Sequence, residues 1–326
     1  MLYLTGRDID SRLNISSAVE VVEAALRDLV IQRSVNLDRQ TMNLKNGTFR
    51  SMAAYVATSN SVGIKVGFWS SEFRGDVEPA RSSETILLYD PLTGELLTLI
   101  RSHFLNRVRT AAATAVAIRR LASPNASVLA IFGTGPHADA QVRGCMAVRP
   151  IARLYVCSRT SAHAEEFAAR FRHDFAIDVR PVGHADNSWL GEAEIVITAT
   201  SSAVPVFDGD DLRQGALVVS IGSSYEGRRE LDDQVYRRAE VVVVDSKEQA
   251  VREASGDVLG PIASGAVTWD RMMELGDVLS STNTGAVPTE HIVIFKCLGM
   301  AVYDVAVARM AYNIARAEGL GRELPA

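Results

Sequence analysis

Apolar residues at Val19, Val22, Ala25, Leu26 and Leu29 recur at the three- and four-residue spacing of one helix face, so 16–30 is expected to form an amphipathic helix. The pattern then becomes strand-like. Runs 50–57, 63–69 and 85–89, the turn Asp90-Pro91-Leu92-Thr93-Gly94 and the run 95–100 together predict an antiparallel meander. An alanine-rich stretch, 109–121, restores the helical period until Ser123-Pro124-Asn125 ends it. Arg109 thereby opens a helix, where a cation opposes the macrodipole, and this points to an anion bound nearby.

From Ser127 onward strands alternate with helices. The runs 128–132, 153–157, 177–182, 194–200, 217–222 and 240–245 are rich in Val, Ile and Leu, the pattern of a parallel sheet covered on both faces. A single long helix is expected over 289–319, its Gly299, Ala301, Ala306 and Ala308 allowing close packing as it returns to the first domain. The expected fold is α/β, with a doubly wound, Rossmann-type parallel sheet over 123–299. A second, α+β domain is expected from 1–122 plus 300–326.

Composition narrows the function classes. The 326 residues are 47% hydrophobic and 22% charged, enough apolar material for one large or two moderate domains without the bias of a disordered chain. A net charge of -5 with scattered basic residues argues against a nucleic-acid partner. The N-terminus lacks a basic, apolar leader and no uncharged run reaches spanning length, so a cytoplasmic protein without a membrane partner is expected. Cys145, Cys157 and Cys297 are far apart within apolar segments and are expected as buried free thiols. No His/Cys/Asp cluster has ligand spacing, so no metal is expected.

The most specific local signal is Gly133-x-Gly135-x-x-Ala138, which follows the run 128–132 and opens a helix-compatible stretch. Gly133 permits the tight turn, Gly135 lets backbone approach a pyrophosphate, and Ala138 lets the helix pack closely while its N-terminal amides face phosphate. Gly133, Gly135, Pro136, His137 and Ala138 are therefore candidate dinucleotide contacts. The next strand ends in Ser158-Arg159-Thr160, where a guanidinium flanked by hydroxyls suits the 2′-phosphate of NADP better than an acid would. NADP(H) is the expected cofactor, with NAD(H) as the alternative.

Several separated motifs in order resemble the ornithine cyclodeaminase/mu-crystallin family over nearly the whole chain. They are Gly63-Ile-Lys65-Val, Asp90-Pro-Leu-Thr-Gly94, Arg109-Thr-Ala-Ala112, the Gly133 turn, Glu230-Leu231-Asp232, Val244-Asp245-Ser246, Gly256-Asp257 and Phe295-Lys-x-x-Gly299-x-Ala-x-x-Asp304. The resemblance implies an NAD(P)-dependent protein of two domains, acting on small α-amino, α-imino or α-keto acids. It also implies a homodimer, with the N-terminal domain serving substrate binding and dimerisation. Arg39, Lys65 and Arg109 match the family's substrate-binding cations, and such charge-assisted donors suit a carboxylate in a water-poor site. The implied substrate set is Arg39, Met52, Lys65, Arg109 and Ser224, with Lys65, Arg109 and Arg39 catalytic. Lys65 is the candidate proton donor to an imine nitrogen. Thr110, Thr198, Ala199, Thr200 and Ser224 join the implied cofactor contacts.

Two departures from the family's pattern redirect the chemistry. Cyclodeaminases carry an aspartate two residues after the glycine that is Gly222 here. This chain has Ser224, as ketimine reductase-like members do, and a hydroxyl cannot do a carboxylate's work in ammonia loss. The expected activity is hydride transfer to the C=N bond of a small cyclic or linear α-imino acid. The alternatives are an alanine-type amino-acid dehydrogenase, a cyclodeaminase-like lyase and a non-catalytic NADP-dependent binding protein. The second departure, Arg101-Ser-His-Phe-Leu-Asn106, is expected to remodel the pocket wall. His103, His137 and His291 lack placed partners and read as surface or capping residues, and Asp304 reads as a buried structural hydrogen-bonding group, with orientation of a first-domain group as the alternative.

Overall fold

The computed structural model describes residues 1–70, 82–183, 187–222, 227–280 and 290–325. The chain divides into two compact units, Met1–Ala113 with Gly299–Ala326, and Thr114–Leu298.

Unit 1 contains, in order, β1 (Leu2–Thr5), α1 (Gly6–Ile9), α2 (Ile15–Val30), β2 (Val35–Asn36), β3 (Gln40–Leu44), β4 (Gly47–Val56), β5 (Ser61–Ser70), β6 (Ser82–Tyr89), β7 (Leu96–Arg101) and the first part of α3 (His103–Leu121). Its sheet runs β16 (Arg322–Glu323)-β1-β7-β6-β5-β4-β2, with β3 on β4. The consecutive pairs from β4 to β7 are antiparallel, the meander expected from alternation. The amphipathic α2 starts at Asn14, whose side chain accepts from Ser17 N, and buries Val19, Val22, Ala25 and Leu26.

Unit 2 carries β8 (Val128–Phe132), α4 (Pro136–Met146), β9 (Arg153–Cys157), α5 (Ser161–Asp174), β10 (Asp178–Val182), β11 (Ile195–Thr198), β12 (Leu217–Ser220), α6 (Asp233–Arg238), β13 (Ala239–Val244), α7 (Lys247–Arg252), α8 (Gly256–Ala263), β14 (Met272–Glu274), α9 (Leu275–Ser280) and β15 (Ile292–Lys296). All its described strand pairs are parallel, in the order β10-β9-β8-β11-β12-β15-β13-β14. Strands β11, β12 and β15 are buried at every position, as a sheet covered on both faces requires. This is the doubly wound arrangement. The order reverses at β8, so a ligand crevice is expected outside its carboxyl end.

The chain then returns to unit 1 as α10 (Ala301–Glu318) and β16 (Arg322–Glu323). The expected single helix over 289–319 is corrected here. Residues Ile292–Lys296 form the buried strand β15, and Gly299, with φ +85°, turns the chain before α10 begins. A short run of Ile, Val and Phe buried on both faces has no periodicity to separate strand from helix, and Thr289 lies outside the described residues. A second correction concerns α3, which starts at His103, where Ser102 Oγ accepts from Leu105 N. Arg109 therefore sits in its second turn, beyond the reach of the macrodipole argument.

Candidate active site

The meander positions Lys65. On β5 it stands opposite Met52 of β4 and Ile86 of β6, so the three share one face of the sheet. All three are buried, Lys65 to 5% exposure. That face lies against α10: a Cβ at Gly63, two residues away on the same side, would come within 2.8 Å of Val305 Cγ2.

A buried ammonium needs acceptors. Lys65 Nζ donates to Asn106 Oδ1 at 2.7 Å and to Asp304 Oδ1 at 3.1 Å, and it lies 3.2 Å from Glu84 Oε2. Arg109 uses the same acceptors: Nε and Nη2 donate to Asn106 Oδ1 at 2.9 and 2.6 Å, and Nε lies 3.2 Å from Asp304 Oδ1. Asn106 and Arg109 are three apart on α3 and so share a face of it. Asp304 lies in the first turn of α10, where a carboxylate also suits the positive helix end.

Arg39, in the loop between β2 and β3, reaches the same place by another route. Its Nη2 donates to the Gly299 carbonyl at 2.9 Å, and a Cβ at Gly299 would stand 2.5 Å from Arg109 Nη1. The three cations, drawn from a loop, a strand and a helix, thus converge around the start of α10. Thr110 is buried beside them, its hydroxyl donating to the Asn106 carbonyl at 2.8 Å.

Glu84 and the dual role of Asn106 were not anticipated from sequence. The available signal was alternation on β6: Glu84 falls in step with the buried Ile86 and Leu88, a carboxylate facing inward beside a strand with an inward lysine. Ser224 lies outside the described residues.

In unit 2 the Gly133 turn joins β8 to α4. Gly133 has φ +110°, its N–H donates to Cys157 O at 2.9 Å, and a Cβ there would stand 2.6 Å from Ala199 O. The protein itself requires this glycine. Gly135 differs: its φ of -78° suits any residue and a Cβ would meet nothing within 4 Å among the described residues. Gly135 is exposed at the N-cap of α4, where free helix amides can meet an anion. Pro136 occupies N1 of that helix, His137 follows half-buried, and Ala138 is fully buried. At the end of β9, Ser158 Oγ lies 3.4 Å from Thr134 Oγ1, while Arg159 and Thr160 are exposed. Thr198 is buried at the end of β11, with Ala199 and Thr200 half-buried after it.

Among the described residues no group of three His, Cys, Asp or Glu side chains could hold a metal ion, and no helix is long and apolar enough to cross a membrane.

The chain is similar to known proteins over most of its length. The chain is 30% identical to a Delta(1)-pyrroline-2-carboxylate reductase of Bacillus cereus (strain ATCC 10987 / NRS 248), covering 99% of both chains. It is 34% identical to the ketimine reductase mu-crystallin of Mus musculus over 80% of this chain and 79% of the other. The structure of Thermococcus litoralis Delta(1)-pyrroline-2-carboxylate reductase, in complex with NADH and L-proline, superposes with a TM-score of 0.92 at 29% identity, over 99% of this chain and 100% of that one. The model of the ornithine cyclodeaminase/mu-crystallin family matches residues 2–319, and the chain belongs to that family.

Proposed function

We propose that this protein is an NAD(P)H-dependent reductase of small α-imino acids, converting a cyclic ketimine or linear imino acid to the amino acid. The observation that carries the reading is the convergence of Lys65, Arg109 and Arg39 in a chain whose full-length relatives include imine reductases. When bound, the reduced nicotinamide supplies hydride to the carbon of the C=N bond. The remaining work falls to side chains. Arg39 and Arg109 bind the substrate carboxylate, for which planar guanidinium groups are suited. Lys65 holds and donates the proton that makes the imine carbon electrophilic, its position fixed by Asn106, Asp304 and Glu84. Asp304 Oδ2 is buried without a hydrogen-bond partner among the described residues, an acceptor suited to a substrate N–H. Met52 supplies apolar wall beside Lys65.

The residues that would hold the cofactor are Gly133, Gly135, Pro136, His137 and Ala138 at its phosphates, with Thr198, Ala199, Thr200 and Ser224 bordering the nicotinamide. Thr110 serves a phosphate through its hydroxyl once that group turns from Asn106 O. Ser158, Arg159 and Thr160 favour NADP(H) over NAD(H), since an exposed guanidinium between two hydroxyls suits a 2′-phosphate. Ser224, in place of a cyclodeaminase aspartate, favours reduction over ammonia loss. The protein acts as a homodimer, for which the exposed Val35, Leu37, Met42, Leu44 and Phe49 on and beside β2 to β4 offer an apolar surface.

The test is an assay of the purified protein with each reduced cofactor and a panel of cyclic imines, such as pyrroline- and piperideine-carboxylate, and of α-keto acids with amines. Consumption of reduced cofactor with formation of the matching amino acid is expected. Absence of turnover across the panel, or ammonia release from ornithine without net cofactor change, would overturn the assignment.

A further inference from the structure

The ends of three neighbouring strands in unit 2 enclose a second cluster of buried charges, which the proposed reaction does not use. Glu230 is fully buried. Its Oε1 accepts from Thr200 N and Thr200 Oγ1, both at 2.7 Å. Its Oε2 accepts from Thr198 Oγ1 at 2.7 Å, Gly222 N at 2.8 Å and Ser220 Oγ at 3.1 Å. The amides of Thr200 and Gly222 can only donate, one to each oxygen, so both oxygens act as acceptors, the role of an ionised carboxylate, while the single Ser220 hydroxyl proton is shared with Asp257 Oδ2, also 3.1 Å away. Behind it, the fully buried Asp257 takes Glu230 N at 2.7 Å on Oδ1 and Lys296 Nζ at 2.9 Å on Oδ2. Lys296 and Asp257 balance one another. Glu230 has hydrogen bonds but no ion-pair partner among the described residues, leaving one buried negative charge in surplus.

Its position gives that charge a use. Thr198 and Ser220 end the adjacent strands β11 and β12, and Thr200 and Gly222 lie just beyond, on the side where open α/β sheets take their ligands. The loops are seated on the carboxylate: a Cβ at Gly222 would strike both Thr200 O and Glu230 Oε1.

We infer that Glu230 biases the oxidation state of the bound cofactor, its buried charge favouring the oxidised nicotinamide, whose ring is cationic, over the neutral reduced ring. The inference rests on the proposed function, in which 198–200 border that ring. A fixed charge in a water-poor interior acts over several ångströms, and one that favours positive charge on the ring promotes loss of hydride from it. Glu230 touches neither cofactor nor substrate. It is a positioning residue that also sets the local field.

The experiment compares dissociation constants of the oxidised and the reduced cofactor for the wild type, Glu230→Gln and Glu230→Asp. Glutamine keeps the shape and leaves the balanced Lys296–Asp257 pair, so the fold is expected to survive. For Glu230→Gln the ratio of oxidised to reduced Kd is expected to rise about tenfold, whereas Glu230→Asp, which keeps the charge, should stay within about twofold of wild type. Equal weakening of both forms by Glu230→Gln would overturn the inference, as would a tenfold shift in Glu230→Asp. Should the glutamine variant not fold, Glu230→Met, which also removes the charge at similar volume, is measured by the same ratio, with the same tenfold rise expected and an unshifted ratio overturning the inference. Failure of the wild type to bind either dinucleotide would defeat the proposed function as well, whereas binding with an unshifted ratio defeats this inference alone.

Discussion

Lys65 and Asp304, 239 positions apart, meet at 3.1 Å with both side chains at or below 5% exposure. The same Asp304 oxygen lies 3.2 Å from Arg109 Nε, so one carboxylate from α10 fixes two of the three converging cations. A buried pair of this kind is costly to assemble and costlier to break, because removing one partner strands the other charge.

Replacing Asp304 by Asn keeps the shape and removes the charge. Chemical denaturation should show a loss of about 3–5 kcal/mol, the cost typical of breaking a buried pair. The catalytic efficiency should fall about 100-fold as Lys65 and Arg109 lose their common anchor. Unchanged stability and kinetics would mean that Asn106 and Glu84 suffice.

Lys65→Ala should lower turnover by about 100-fold or more, the usual contribution of a placed proton donor. Titration with reduced cofactor should show affinity within about twofold of wild type, since Lys65 belongs to unit 1 and the Gly133 turn to unit 2. Undiminished turnover would remove Lys65 from the mechanism.

A methyl group at Gly299 meets two obstacles. The backbone is in the left-handed region, which costs an L-residue roughly 1–2 kcal/mol. The new Cβ would also stand 2.5 Å from Arg109 Nη1. Gly299→Ala should therefore lower the melting temperature and raise KM for the imino acid about tenfold, by the displacement of one carboxylate-binding group. A stability loss with unchanged KM would show that Arg109 adjusts without consequence.

Arg159→Asp tests the cofactor preference. Exposed just after β9, this residue makes no hydrogen bond or ion pair among the described residues, so the fold should tolerate the change. NADPH should bind about tenfold more weakly or worse, with NADH altered by less than about twofold, as loss of a charge-assisted contact to phosphate requires. Equal effects on both would place recognition of the 2′-phosphate elsewhere.

The cysteines should be inert. Burial pushes the Cys145 and Cys157 thiols up to about 12, and Cys297 is buried as well. Near neutral pH almost no thiolate exists at the first two positions, so iodoacetamide should leave the native protein unlabelled and active while the denatured chain takes up label at all three. Rapid labelling of the native protein would contradict the burial.

Local pattern carried much of this fold. The amphipathic α2, the β4 to β7 meander and the strands around the Gly133 turn were each legible because apolar period and turn residues act over a few positions. Where a segment is buried on all sides that signal vanishes, which is why 292–296 resembled the start of a helix and proved to be β15. The start of α3 was likewise hidden, since Ser102 acts as its cap without an apolar period before Arg109 to announce it.

The candidate site divides along the same line. Sequence by itself determined which residue types were present: three cations matching a family pattern, a glycine turn between a strand and a helix, and a serine at position 224. Only the tertiary structure decided which acceptors those cations share, because Asn106, Glu84 and Asp304 reach Lys65 from a helix, a neighbouring strand and the far end of the chain. The unbalanced carboxylate of Glu230 was hidden for the same reason. Electrostatic energy depends on distance through space and on exclusion of water, and neither quantity is written in the order of residues along a chain.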